Sequence, residues 1–156
     1  MTDFRIGALT LDEHSVATRT RAIEQEREVA ISDLLEKNFF KLVGSPGGPY
    51  HLTLSVEENR LVFNITLESG EAQGRIMLSL NPFRGVIKDY FLICDSYHKA
   101  IQTSQPHQIE ALDMGRRGLH NEGSTLLQAR LEGKIETDFD TARRLFTLIC
   151  AMHLKG

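Results

Sequence analysis

The sequence predicts an α+β domain in which a small antiparallel sheet, a three-stranded meander plus an N-terminal strand, is packed by one N-terminal helix and a C-terminal helical cluster. Three observations carry this reading: two-residue alternation of apolar side chains in three segments between Tyr50 and Leu80, an amphipathic pattern of helical period before it, and helical periodicity after Asn81-Pro82. The chain of 156 residues is 41% hydrophobic and 25% charged, which suits a single domain spanning residues 1–156.

From the N-terminus, Phe4, Ile6 and Ala8 alternate with Arg5 and Gly7 as a short strand, although Leu9 and Leu11 change face. Between Arg21 and Asn38 the residues Ile23, Ala30, Ile31, Leu34 and Leu35 recur at helical spacing, with Glu24, Glu26, Arg27, Glu28, Asp33 and Glu36 outside that stripe. The run Gly44-Ser45-Pro46-Gly47-Gly48-Pro49 stops regular structure and reads as a connector. It lacks the residues of a phosphate-binding loop. Tyr50, Leu52, Leu54 and Val56 then alternate with polar residues, followed by a Glu58-Asn59 turn. Leu61, Phe63, Ile65 and Leu67 form the next strand, and Ile76, Leu78 and Leu80 the third, after a turn at Ser69-Gly70.

Pro82 suits the first turn of a helix, and Val86 to Gln102 carries Ile87, Tyr90, Phe91, Cys94, Tyr97 and Ile101 on one stripe, with Lys88, Asp95 and Lys99 on the other side. A second helix opens around Ser104 to Pro106, and Gly115, Gly118 and Gly123 predict a break before Leu131. Thr137 to Asp140 has the spacing of a capping box for a last helix buried through Leu145, Leu148, Ile149 and Met152.

Several function classes are disfavoured. No apolar run approaches the roughly 18 residues that span a bilayer, so no membrane role is expected. Met1 to Arg5 shows no signal or transit pattern, which places the expected protein in the cytoplasm. The net charge of −3 argues against nucleic acid as the partner, because phosphate binding needs a positive excess at domain scale. Cys94 and Cys150 sit in apolar segments and read as buried thiols rather than a disulfide pair. Cys94 with His98 and Cys150 with His153 have formal zinc spacing, but a neutral buried thiol explains each cysteine more cheaply, and no metal or cofactor is expected.

Three segments resemble a known bacterial family. They are Lys88-Asp89-Tyr90-Phe91-Leu92-Ile93-Cys94-Asp95-Ser96-Tyr97, then Asp113-Met114-Gly115-Arg116-Arg117-Gly118 with His120-Asn121-Glu122-Gly123, and finally Asp138 to Cys150. Together with the Gly48-Pro49-Tyr50 entry to the meander, they are similar to uncharacterised protein family 0262 along essentially the whole chain. The resemblance implies a small cytoplasmic bacterial protein and carries over no catalytic residue.

Chemistry concentrates between Asp113 and Ser124. On a helix, Arg116 and His120 share a face, and Asp113, Arg117 and Asn121 form the adjacent row, with Glu122 beside them. Arginine forks can hold a phosphate or carboxylate, and histidine can move a proton near neutral pH. The competing structural reading pairs Asp113 with Arg117 and makes His120 a core or capping residue. Lys88 and Asp95 are weaker candidates, since Asp95 can pair with Lys99. Arg143 and Arg144 are expected to pair locally with Asp138 and Asp140.

The function expected first is a non-catalytic binding or regulatory module for an unknown protein partner or a small anionic ligand, with homo-oligomerisation open. The alternative is an enzyme acting on a phosphorylated or other anionic small molecule. Arg116 and Arg117 would then hold the anion, and His120, Glu122 or Asp95 would transfer the proton.

Overall fold

The computed structural model describes residues 3–12 and 21–152. The elements run β1 (Ile6–Leu11), α1 (Arg21–Glu36), β2 (Phe40–Leu42), β3 (Tyr50–Glu57), β4 (Arg60–Leu67), β5 (Ala72–Ser79), α2 (Asn81–Thr103), α3 (Pro106–Leu131), β6 (Ile135–Thr137) and α4 (Phe139–Met152). A four-stranded sheet has the order β1-β3-β4-β5, and β2 pairs with β6 in a separate two-stranded ribbon.

The meander forms where the alternation put it. Leu52 pairs with Ile65, Leu54 with Phe63, and Leu61 with Leu78, so the apolar members of adjacent strands meet on one face. The first turn is tight because Glu58 and Asn59 both take positive φ, at 50° and 63°. Leu52, Leu54, Leu61, Phe63 and Ile65 are fully buried, against Asn64 exposed on the other face.

Two features depart from the expected sheet. β1 joins β3 in parallel, so the sheet is mixed rather than antiparallel. The connection between them is long enough to hold α1 and β2, which is what a parallel pairing requires. The change of face along β1 has a direct cause, since the register shifts between Ile6 and Ala8 and a bulge at Gly7 resets the alternation. Ile6 and Leu11 are thereby both buried. The ribbon was also not expected: Phe40 and Leu42 bury their side chains opposite Thr137 and Ile135.

Asn38, just past α1, clasps β1. Its Oδ1 accepts from the Ile6 N–H at 2.7 Å, and its amide donates to the carbonyls of Ile6 at 3.1 Å and Leu34 at 2.7 Å. Asn38→Ala should cost about 1 kcal/mol, because water replaces only some of these bonds at a part-buried position. An unchanged urea midpoint would show that the clasp contributes nothing.

The helical half is continuous where a break was expected. α3 runs unbroken through Gly115, Gly118 and Gly123. Two of these glycines are contact points: a Cβ at Gly115 would meet the Ile93 side chain of α2, and one at Gly123 would overlap the ring of Phe146 in α4. Packing there outweighs the low helix propensity of glycine. α2 begins at Asn81, earlier than its apolar stripe suggests, with Pro82 in its first turn. α4 starts one residue later than the expected box, since Asp138 Oδ1 accepts from the Thr141 N–H at 2.9 Å while Thr137 ends β6. It packs against both α1 and α3, and Leu145, Phe146, Leu148, Ile149 and Cys150 are all buried. Among the described residues one apolar core joins sheet and helices.

Candidate functional site

Helices α1, α3 and α4 enclose a cleft of about 550 Å³, within the usual range of small-molecule sites. Glu26, Val29 and Asp33 line it from α1, Arg116, Arg117 and His120 from α3, and Asp140, Arg143, Arg144 and Thr147 from α4. Tyr90 and His98 of α2 complete the wall. Four arginines therefore reach one cavity from two helices. On α3, Arg116 and His120 share a face by i,i+4 spacing, as do Arg143 and Thr147 on α4.

The arginines divide into a pair held by a carboxylate and a pair that is not. Arg116 Nη2 donates to Asp113 Oδ1 at 2.6 Å, and Arg117 donates to the other oxygen of the same carboxylate. The Arg116 hydrogen bond, reinforced by that of Arg117, holds the Asp113 carboxyl below the usual carboxylate range. Arg116 also lies 4.7 Å over the Tyr97 ring, which fixes its plane. On α4 the expected local pairing does not occur. Asp138 caps the helix, and Arg144 reaches only the backbone carbonyl of Asp140, at 3.2 Å. Among the described residues neither Arg143 nor Arg144 finds a carboxylate, and the Nε of each is buried without a partner.

His120 is 8% exposed and stands between the rings of Tyr90 and Phe146, at 5.5 and 5.4 Å between centroids. Its Nε2 lies 2.7 Å from Thr147 Oγ1, whose own proton goes to the carbonyl of Arg143 at 3.1 Å. Thr147 is thus the acceptor in the first contact, Nε2 carries the hydrogen, and Nδ1 is a buried acceptor with no partner. Burial, then the charges of Arg143 and Arg116, push the His120 pKa down to about 4. The ring is neutral at physiological pH.

Glu26 is half-buried in the same cleft, and its carboxylate makes no hydrogen bond or salt bridge among the described residues. Burial raises its pKa, opposed by the nearby charges of Arg116 and His98.

Of the residues singled out in the sequence, Arg116, Arg117 and His120 line the cleft, and Asp113 orients the two arginines from beside it. Asn121 and Glu122 are exposed and lie outside the cleft lining. Lys88 and Asp95 are exposed on α2, also outside it, and Asp95 pairs with Lys99 at 2.9 Å. Sequence reasoning missed Glu26 and Thr147 and set Arg143 and Arg144 aside. The i,i+4 spacing of Arg143 and Thr147 was a legible signal for one of these rows. Nothing along α1 marked Glu26 apart from its charged neighbours.

Cys94 and Cys150 are buried free thiols, and burial pushes Cys94 up to about 11 and Cys150 well above its ordinary value. Among the described residues no group of three or more His, Cys, Asp or Glu is placed to hold a metal ion, and His153 lies outside them. No helix among them is long and apolar enough to cross a membrane.

Comparison with known proteins gives one consistent result. The model of the uncharacterised protein family UPF0262 matches residues 3–155. A UPF0262 protein of Caulobacter vibrioides is 64% identical over 152 residues, covering 97% of this chain and 94% of the relative. One of Xanthobacter autotrophicus is 60% identical over 153 residues, covering 97% and 93%, and one of Brucella canis is 58% identical over 153 residues, covering 97% and 95%. No solved structure matches.

Proposed function

For a chain that belongs to the uncharacterised protein family UPF0262, whose name assigns no ligand, we propose the function from the cleft itself: a cytoplasmic, non-catalytic module that binds a small anionic molecule between α1, α3 and α4. One observation carries this reading. Arg143 and Arg144 line the cavity and form no ion pair with a carboxylate among the described residues, beside Arg116 and Arg117, which Asp113 holds in place. A phosphate or carboxylate would supply the missing acceptors through charge-assisted bonds.

Binding is preferred to catalysis because the proton carriers expected from the sequence do not converge. Glu122 and Asp95 lie outside the cleft lining, and His120 is neutral, with its Nε2 proton committed to Thr147. No carboxylate orients its ring among the described residues.

Titration with inorganic phosphate near physiological ionic strength, followed by backbone chemical shifts, should move resonances of residues 113–124 together with those of 139–147. Arg143→Gln/Arg144→Gln should weaken binding about tenfold or more, given the usual worth of a charge-assisted hydrogen bond. Arg116→Gln/Arg117→Gln should also weaken it. Shifts that are absent in wild type, or unchanged in both double variants, would overturn the proposal. Screening at this salt removes nonspecific contacts to exposed arginines.

A further inference from the structure

We infer that the ligand of this cleft is zwitterionic, with its anionic group on Arg143 and Arg144 and an ammonium group on Glu26. The inference rests on the anion-binding reading and specifies the other end of the molecule.

The cavity holds unmet groups of both signs. Among the described residues Arg143 and Arg144 are donors lacking an anionic acceptor, and the Glu26 carboxylate is an acceptor with no hydrogen bond or salt bridge. They come from different helices, α4 and α1, and do not satisfy one another. Arg116, the arginine whose charge Glu26 senses, is already committed to Asp113 and stacked on Tyr97. His120 adds a second acceptor without a partner, Nδ1, in the same wall.

A ligand that is only anionic would fill the arginines and at the same time cover Glu26, removing a half-buried carboxylate from the remaining water with nothing in return. That cost is avoided when the ligand brings a cationic donor to it. Asp33 lines the cavity from the same helix as Glu26, so α1 brings two carboxylates and no cation to the lining, whereas α4 brings Arg143 and Arg144 beside one carboxylate, Asp140, and α3 brings Arg116 and Arg117. This uneven distribution of charge across one cavity matches a molecule that carries both charges.

The test uses the full chain and two probes that share a phosphate: O-phosphoethanolamine, and propyl phosphate, in which a methyl replaces the ammonium. Isothermal titration near physiological ionic strength should show wild type preferring O-phosphoethanolamine by about tenfold, the worth of one charge-assisted hydrogen bond in a part-buried site. Glu26→Gln should bring the two probes within about twofold of each other by removing only the charged acceptor, and leave propyl phosphate no weaker than in wild type. Equal affinities in wild type, or a preference that survives Glu26→Gln, would overturn the inference while leaving the anion site standing. If neither probe nor inorganic phosphate binds, both readings fall.

Discussion

Replacing Gly123 with alanine should destabilise the protein by about 3 kcal/mol, the balance between a steric cost of about 4 kcal/mol, beyond the usual overpacking range, and about 1 kcal/mol returned by better helix propensity. The added methyl would overlap three atoms of the Phe146 ring, which is fully buried. The ring has little room to retreat, because Tyr90 lies 6.1 Å and His120 5.4 Å from it between centroids. The helix backbone must therefore shift, or this aromatic cluster must repack. Gly118→Ala on the same helix is the internal control. A Cβ there meets nothing within 4 Å, so propensity acts alone and should stabilise by about 1 kcal/mol. Urea unfolding of the two variants should move the midpoint in opposite directions, and a shared direction would sink the packing argument.

The second large effect is on acid stability. His120 titrates at about 4 in the folded protein, against an ordinary value of 6.5. Above 6.5 the ring is neutral in both states and costs nothing. As pH falls below 6.5 the unfolded chain takes up a proton that the buried ring refuses, so stability is lost down to about pH 4 and levels off below it. The size is about 3.5 kcal/mol, the proton affinity the buried ring gives up between 6.5 and about 4. Carboxylates of the unfolded chain take up protons over the lower part of this range too, so the informative quantity is a difference. Between pH 7 and pH 4.5, wild type should lose more unfolding free energy than His120→Gln, which has no charge to acquire. Parallel slopes would mean that His120 protonates freely in the folded state.

The two variants bear on one structure, since Gly123 packs on the Phe146 ring, which in turn meets Tyr90 and His120 of the cleft lining. Gly123→Ala is therefore also expected to weaken phosphate binding by displacing the wall, whereas Gly118→Ala should leave it unchanged.

By itself the sequence determined what short-range periodicity encodes. Alternation from Tyr50 to Leu80 specified three strands and their buried face, because neighbouring side chains on a strand point to opposite sides. The helical stripes placed α1, α2 and α4, the pair Arg116 and His120 on one face of α3, and the Asp113 to Arg117 pairing. Only the tertiary structure decided the rest. The parallel pairing of β1 depends on the path of the chain through α1 and β2, which no local pattern records. The continuity of α3 depends on Ile93 and Phe146 filling the space its glycines leave, an energy that propensity does not contain. Arg143 and Arg144 are near Asp138 and Asp140 in sequence, yet Asp138 is taken by the Thr141 N–H and Arg144 meets only a carbonyl of Asp140. Glu26 enters the site because of the face that α1 turns toward α3 and α4. Spacing fixes which side chains share a face, but which faces meet is settled by the burial of apolar surface across the whole chain.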